Sequence, residues 1–289
     1  MLIQNFRFLL TCALRLLCMP LCAGLLASPA QAAPLPTLRL VVPPFEYNNR
    51  PETLYFYRVL RLALGKTEAT DGPFEIATYP SQMSPVRSVT ELKNNGSINL
   101  IWNGTSPERE RDLLPVRVSL IRDLNSYRIC LIRKGDQARF DAVHTLDDLR
   151  KLVAGSGTQW PDTEILRANG MPTITTTHHA SLFPMLGAKR FDYTARGIYE
   201  VFGEAEAHGA REGIVIEDKL MIFYALPIYF FVNKSNVALA ERLERGLKKA
   251  QADGSFDQLM MSVPGFKRGL EEQHNNKRRL FVLESPFKP

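Results

Sequence analysis

The amino-acid sequence predicts an α/β protein in which mainly parallel sheets are flanked by helices. In the first third of the chain, short apolar runs alternate with segments of helical spacing, as Leu38–Val42 alternates with the helical pattern of 56–64. The chain has 289 residues, of which 45% are hydrophobic and 23% charged. That composition supplies enough apolar material for one large or two medium globular domains.

The stretch Ser97–Asp112 is the clearest strand-to-helix transition in the chain. Its apolar run at 98–102 predicts a buried strand. A helix should follow at once, because Thr105 or Ser106 offers an N-cap oxygen and Pro107 suits the first helical position.

Arg109 falls in the first turn of this predicted helix, where a guanidinium works against the helix dipole. A bound carboxylate, shared between Arg109 and free backbone N–H groups, would favour it there. The alternative is a solvated arginine that pairs with Glu108, Glu110 or Asp112.

The first 32 residues differ from the rest and predict a signal peptide. Arg7 precedes a mostly apolar run, and Ala30-Gln31-Ala32 places small residues where a signal peptidase reads them. We expect cleavage near Ala32. A retained membrane anchor is the alternative, but Arg15 and Pro20 interrupt the apolar run.

Charge and cysteine usage exclude several classes of function. Removal of Arg7 and Arg15 with the leader lowers the net charge from +6 to +4, and no basic face with interleaved aromatic residues predicts nucleic-acid binding. Cys130 is the one cysteine after the leader, so no intramolecular disulfide is expected and Cys130 is predicted to be buried. His178-His179 lacks a third ligand at metal-binding spacing, so we expect an exposed loop, with no metal and no cofactor.

The second half predicts a further lobe and a return to the first. A strand at 126–133 leads into polar residues that we interpret as the entry to this lobe. Gly155–Asp162 predicts a small-residue turn before a helix, either an ordinary turn or one whose N–H groups hold an anion. Ala225–Lys234 predicts a returning strand, and the helix after it ends at Asp253-Gly254.

Several segments together resemble a known family. They are Pro43-Pro44-Phe45, Gly96–Ile101 followed by Ser106-Pro107-Glu108-Arg109, and Pro227–Lys234 with the helix ending at Asp253-Gly254-Ser255-Phe256. In order and spacing they are similar to the opening pocket loop, the Gly-x-Ile-Asp strand with its Thr-Pro-Glu-Arg turn, and the crossover of solute-binding family 3. These are periplasmic substrate-binding proteins of the amino-acid transport type. The resemblance covers roughly Leu38–Leu259.

This resemblance implies a two-lobed type 2 periplasmic-binding-protein fold. Each lobe would be a mainly parallel sheet flanked by helices, and two crossover strands would join the lobes. The implied division is residues 33–132 and 226–289 in lobe 1 and residues 133–225 in lobe 2. The resemblance also implies a periplasmic monomer that traps a small-molecule ligand as its lobes close.

The implied site lies between the lobes, with Arg109 gripping a carboxylate of the ligand. Tyr47 and Trp102 would be aromatic walls, and the second lobe would approach through 158–160. The residues expected to line the site are Glu46, Tyr47, Trp102, Asn103, Gly104, Thr105, Arg109, Thr158, Gln159, Trp160, Asp192 and Arg196.

The sequence departs from the family at the position of the acid that binds the ligand's ammonium group. That acid lies about five residues past the aspartate of a Gly-Arg-Val-Asp turn. Here the turn is 189–192, and the matching place is near Gly197, preceded by Arg196. An ammonium group would therefore need Asp192 or Glu200 as a partner, whereas Arg196 would favour a second anionic group.

The sequence favours periplasmic binding of a carboxylate-bearing, amino-acid-like solute for an ABC transporter. Its partner would then be an inner-membrane permease. One alternative is a sensor or partner-binding protein of the same fold, with a sensor kinase as its partner. Another is an enzyme that resembles the cyclohexadienyl dehydratases, with Glu46 or Asp192 as the general acid. For the favoured binding function we predict no catalytic residue. Resemblance to a family indicates fold better than function.

Overall fold

The computed structural model describes residues 35–44, 51–275 and 277–287. The predicted signal peptide and the predicted site residues Glu46 and Tyr47 lie outside the described residues. Within the described part, no helix is both long and apolar enough to cross a membrane.

The described strands are β1 (Leu38–Val42), β2 (Phe74–Thr78), β3 (Leu100–Gly104), β4 (Leu113–Val116), β5 (Tyr127–Arg133), β6 (Ala154–Gly157), β7 (Thr173–Thr176), β8 (Tyr193–Gly197), β9 (Ile214–Ile216), β10 (Leu220–Phe223), β11 (Ile228–Asn233) and β12 (Arg279–Val282). The described helices are α1 (Pro51–Gly65), α2 (Glu68–Asp71), α3 (Pro85–Lys93), α4 (Pro107–Asp112), α5 (Gln137–Asp141), α6 (Leu146–Leu149), α7 (Pro161–Ala168), α8 (Leu182–Gly187), α9 (Val201–Glu212), α10 (Val237–Ala252), α11 (Ser255–Met261) and α12 (Pro264–His274).

Five strands form a two-stranded sheet, β1-β2, and a three-stranded sheet, β3-β11-β4, which together we call the first sheet. β1 and β2 are parallel, and β11 runs antiparallel between β3 and β4. The amide of Asn99 donates to the carbonyl of Val41 at 2.8 Å, and the amide of Val41 donates to Oδ1 of Asn99 at 2.7 Å. These two bonds join the parallel pair to the antiparallel strands.

Helices α1 and α10 cover one face of this sheet and meet at a glycine. Val59, Leu60 and Leu243 are fully buried in the shared core, as the helical spacing predicted. A Cβ on Gly246 would lie 2.0 Å from the carbonyl oxygen of Ala63, so only glycine permits the two helices to approach this closely.

The second sheet has the strand order β12-β10-β5-β8-β6-β7, with β9 beside β5. β6 is parallel to β7 and β8, whereas β5 is antiparallel to β8, β9 and β10. Cys130 is buried in β5, as predicted. The carboxyl ends of β6 and β8 lie at the same edge of this sheet as the start of β5, where Arg128 pairs with Gly197.

The predicted turn at 155–162 is wrong in its first residues, because residues 154–157 form strand β6. Its glycines make room for aromatic rings. A Cβ on Gly155 would lie 2.2 Å from the Phe191 ring, and a Cβ on Gly157 would lie 2.5 Å from the Trp160 indole.

Two segments that the sequence assigned to the first lobe belong to the second sheet. β5 begins at Tyr127 and pairs with β8, so residues 127–132 leave the first sheet earlier than expected. At the other end of the chain, β12 pairs in parallel with β10. Helix α12 and strand β12 lie beyond the segments that resembled the family, and the sequence did not predict them. The remaining lobe boundaries stay a prediction.

Candidate functional site

The junction between β3 and α4 forms the carboxyl edge of the first sheet. Ser106 caps α4, because its Oγ accepts a hydrogen bond from the amide of Arg109 at 3.1 Å, and Pro107 occupies the first turn. The predicted strand-to-helix turn is therefore confirmed. β3 continues two residues further than expected because Gly104 still pairs with Ile228 on β11.

The side chain of Arg109, on α4, folds back over the end of β3. Its Nη1 donates to the carbonyl of Gly104, and its Cζ lies 5.9 Å from the centre of the Phe231 ring. Burial lowers the pKa of Arg109 to about 10. Among the described residues, its buried Nε has no hydrogen-bond partner and no carboxylate lies within 4.0 Å of the guanidinium. The alternative of a solvated, paired surface arginine is therefore wrong for the described part of the chain.

Thr105, another predicted hydrogen-bond donor at this edge, already donates to groups within the protein. The hydroxyl of Thr105 donates to Glu110, and its amide donates to the carbonyl of Pro227 at 3.0 Å. Thr105 is 3% exposed, so its expected role as a free donor to a ligand is not supported. Asn103 lies half-buried on β3, opposite Tyr229.

Trp102 lies against helix α1. Its indole stacks on the Phe56 ring at 6.1 Å between ring centres, with 17° between the planes. The side chain is half-buried, so part of the ring surface stays accessible. The first sheet thus presents one aromatic ring and one guanidinium, on consecutive elements.

The edge of the second sheet presents Thr158, Gln159 and Trp160 between β6 and α7. Thr158 and Gln159 are exposed, and the backbone of Thr158 is held by a hydrogen bond to Thr176 at 2.9 Å. The indole of Trp160 lies over Gly157, which has no side chain to displace it. The predicted approach of these three residues from one loop is consistent with this arrangement.

Arg196 packs on the Trp160 indole, with its Cζ 4.6 Å from the ring centre. It is paired with two acids from α9 and its N-cap. Nε and Nη2 donate to Glu204 at 2.7 and 2.8 Å, and Nη2 donates to Glu200 at 3.0 Å. The charge of Arg196 is therefore compensated inside the protein, which argues against its expected role toward a second anionic group.

Glu204 is 2% exposed and depends on this pairing. Burial alone would raise the pKa of its carboxyl, but the Arg196 guanidinium and hydrogen bonds from Arg196 and His179 hold that pKa well below its usual value. His179 lies 3.0 Å from Glu204 through Nε2, and its ring lies 5.8 Å from that of Trp160. The prediction that both histidines lie in an exposed loop is therefore wrong for His179, although His178 is exposed.

Arg128 is a second buried cation, and its partner Asp162 also interacts with Arg196. Nε of Arg128 donates to Asp162 at 3.0 Å and to the Tyr224 hydroxyl at 2.9 Å. Burial would raise the pKa of Asp162, yet the nearby Arg128 lowers it overall. Sequence reasoning did not single out Arg128, although an arginine inside the apolar strand 127–133 was a usable signal. In the described residues, no group of three metal-ligating side chains comes together.

Comparison with solved structures places this geometry on a known fold. An arginine-specific periplasmic binding protein of Salmonella typhimurium is 15% identical and superimposes with a TM-score of 0.56, covering 78% of this chain and 98% of that chain. An ancestral amino-acid-binding protein that preceded cyclohexadienyl dehydratase is 16% identical, with a TM-score of 0.56 over 78% of this chain and 95% of that one. A histidine kinase sensor domain similar to periplasmic binding proteins is 15% identical, with a TM-score of 0.56 over 80% and 97%.

This chain has the type 2 periplasmic-binding-protein fold. The resemblance to solute-binding family 3 is thus confirmed at the level of the fold. No family model matches the chain, and no curated protein sequence does.

Within the type 2 periplasmic-binding-protein fold, Gly197 ends β8 at the edge shared with Arg128 and Trp160. A Cβ on Gly197 would lie 3.0 Å from Oε2 of Glu200 and 2.8 Å from the Tyr199 ring. The carboxylate of Glu200 thus stands where a side chain of residue 197 would begin. The family pattern had its ammonium-binding acid near this position, where the sequence has Gly197.

Asp192 lies at the opposite end of the same strand. Its carboxylate pairs with Arg139 at 2.8 Å and Arg133 at 3.3 Å, and it accepts a hydrogen bond from the amide of Val153 at 2.8 Å. Five strand residues at ~3.3 Å each separate it from the end of β8. The structure therefore argues against a ligand-binding role for Asp192, since its carboxylate ties together the far edge of the second sheet.

Proposed function

We propose that this protein binds a small carboxylate-bearing, amino-acid-like solute between the carboxyl edges of its two sheets. The solute's carboxylate would be held by Arg109. Trp102 and Asn103 on the first sheet and Thr158, Gln159 and Trp160 on the second would complete the site. We place the protein in the periplasm as a monomer, after removal of the signal peptide near Ala32.

The observation that carries this proposal is that the half-buried guanidinium of Arg109 has no direct ion pair among the described residues, with Glu108 acting on it at longer range. Arg128 and Arg196 each have a carboxylate partner at about 3 Å, whereas Arg109 has none among the described residues. Burial of a cation without a counter-charge is costly, and a bidentate carboxylate would satisfy it. Because Nη1 is bound to Gly104, we propose that Nε, which has no described hydrogen-bond partner, and Nη2 hold the carboxylate.

We propose that Glu200 binds an ammonium group of the same solute. Its side chain is 32% exposed, so its carboxylate reaches solvent at the edge of the second sheet. It pairs with Arg196 through Oε2, which leaves Oε1 as a hydrogen-bond acceptor. We therefore replace Asp192 by Glu200 in the proposed site.

The partner of the protein is either an inner-membrane permease or a sensor. A permease would make the protein a receptor for an ABC transporter, and the likeness to periplasmic binding proteins supports this choice. The similar histidine kinase sensor domain supports the second candidate, a ligand sensor of the same fold. We favour binding over catalysis because the two buried carboxyls beside the proposed site, those of Glu204 and Asp162, are held ionised by arginines and so are not general acids.

The test is thermal unfolding of the purified protein against a panel of amino acids and small carboxylates. A ligand that binds only the native state raises stability by RT ln(1 + [L]/Kd), or about 2.7 kcal/mol at a hundredfold excess over Kd. Arg109→Ala should abolish the shift. Arg111→Ala is the matched control, because Arg111 lies on the same helix and its side chain is 68% exposed.

Retention of the full shift in Arg109→Ala would contradict the assigned role of Arg109. Absence of any shift across the panel would contradict binding of a small carboxylate and favour a protein partner.

A further inference from the structure

The C-terminal segment, α12 and β12, makes a third connection between the two halves of the molecule. The chain already passes between the sheets twice, from β4 to β5 and from β10 to β11. After α10 and α11, which pack with α1 on the first sheet, α12 leads to β12 in the second sheet. We call residues 264–275 and 277–282 the C-terminal strap.

The strap holds both halves through buried aromatic contacts. The ring of Phe266, on α12, is fully buried between two tyrosines. Its centre lies 4.7 Å from the ring of Tyr55 on α1 and 5.3 Å from the ring of Tyr199 just after β8. Tyr55 is fixed in turn, because its hydroxyl donates to the carbonyl of Leu120 at 2.7 Å.

Two residues further along α12, the strap contacts the second half again. Cζ of Arg268 lies 3.7 Å from the centre of the Phe202 ring on α9, and Nη1 pairs with Glu206 at 3.3 Å. Gly269 follows, and a Cβ there would lie 3.4 Å from Ile198 and from Leu124. Helix α12 therefore packs on the first crossover at Leu124 and on the segment after β8 at Ile198.

Two adjacent crossover strands permit rotation about one hinge axis, which is how ligand-driven closure occurs in two-lobed binders. A third connection that packs on both halves opposes this rotation. Because the strap contacts Tyr55 in the first half and Phe202 and β10 in the second, we expect a rotation between the halves to strain one of these sets of contacts. Packed interfaces of this kind shift between discrete arrangements and do not deform continuously.

We propose that the C-terminal strap fixes the angle between the two sheets, so that the protein binds its ligand without hinge closure. That the strap restrains the angle does not depend on the proposed function; that the ligand binds without closure rests on it. Binding without closure departs from the closing motion that the sequence resemblance implied. A fixed angle suits a site that is preformed before its solute arrives.

Distances between spin labels on the two halves test the strap. Val86 on α3 and Ile174 on β7 are 51% and 41% exposed, so cysteines there accept labels with little disturbance. Cys130 is fully buried, and mass spectrometry verifies two labels per chain. The wild-type background should give one narrow distance distribution. Addition of L-glutamate, L-arginine or succinate should move its mean by less than about 2 Å, the range of a preorganised complex.

The release variant is Phe266→Leu with Arg268→Ala, which keeps an apolar side chain in the core but removes the ring contacts and the Glu206 pair. We expect its distribution to broaden by more than about 2 Å. Arg268→Ala alone, at a side chain that is 52% exposed, guards against misfolding of the double variant and should broaden the distribution less. The matched control is Lys248→Ala, which breaks only a pair within α10.

Two populations in the wild-type protein, a ligand-driven shift beyond about 2 Å, or a release variant as narrow as the wild type would each overturn the proposal. The comparison of the wild type with the release variant, both without ligand, tests whether the strap fixes the angle between the sheets even if no solute binds. Binding that depends on Arg109 and is accompanied by closure would uphold the proposed function and overturn the strap alone.

Discussion

Arg196 and Glu204 form a buried ion pair with two hydrogen bonds, Nε to Oε2 at 2.7 Å and Nη2 to Oε1 at 2.8 Å. The side chains are 7% and 2% exposed. The pair anchors α9 to the end of β8 and holds the guanidinium against the Trp160 indole. An arginine that looked like a ligand-binding cation in the sequence is therefore part of the framework of the second half.

Glu204→Gln should destabilise the protein by about 3 kcal/mol at neutral pH, because it leaves Arg196 with Glu200 as its one described acid partner. It should also flatten the acid limb of the stability profile. The folded-state pKa of Glu204 lies below its ordinary value of 4.5, so its contribution is complete above that pH and is lost as pH falls below it. Urea unfolding at a series of pH values measures both effects.

The control for this series is Glu244→Gln, which breaks an exposed pair within α10 and should cost less than about 0.5 kcal/mol. An acid limb in Glu204→Gln as steep as that of the wild type would show that other carboxylates set it.

Arg109→Met and Arg196→Met should differ sharply in their effect on the free energy of unfolding. Arg109→Met removes a buried cation that has no direct ion pair among the described residues, although Glu108 acts on it at longer range. Without ligand the substitution should therefore cost less than about 1 kcal/mol or stabilise the protein. Arg196→Met leaves the buried Glu204 with His179 as its one described partner and should cost about 3–5 kcal/mol. Urea unfolding with unchanged slope measures the difference. A larger loss in Arg109→Met would assign Arg109 to the structural framework.

Gly197→Ala should destabilise the protein by about 1–3 kcal/mol, because the new Cβ would press on Glu200 and on the Tyr199 ring. Gly203→Ala, on the exposed side of α9, meets no atom within 4 Å and should stabilise the protein by about 0.5–1 kcal/mol. Thermal unfolding of both variants at the same protein concentration measures the contrast. Equal changes in stability for the two variants would mean that Glu200 and Tyr199 move aside to accommodate the new Cβ at the end of β8.

Gly157→Ala should displace the Trp160 indole, which a new Cβ would approach to 2.5 Å. In a Trp102→Phe background, Trp160 is the one tryptophan left, because the sequence holds two. We expect its fluorescence to move to longer wavelength as the ring leaves Arg196 and enters solvent. An unchanged spectrum would mean that the ring shifts within its present contacts, and Gly203→Ala in the same background is the control.

The site was predictable where its signal was local. Ser106, Pro107 and Arg109 act within one turn of chain, so N-cap and dipole arguments identified the turn before any contact was known. The partners of Arg196 were not predictable in this way. Glu204 is the fourth residue of α9, and His179 comes from a loop between β7 and α8, so their contacts with Arg196 depend on how these elements pack.

By itself the sequence determined the alternation of strands and helices, the strand-to-helix turn that carries Arg109, and the resemblance to a two-lobed binding fold. These follow from apolar periodicity and capping, which act over a few residues. Tertiary structure alone decided that Arg196 is compensated, that Asp192 stands at the far edge of its sheet, and that α12 and β12 join the two halves. The physical reason is that compensation and restraint arise from contacts between segments distant in sequence, which no local pattern encodes.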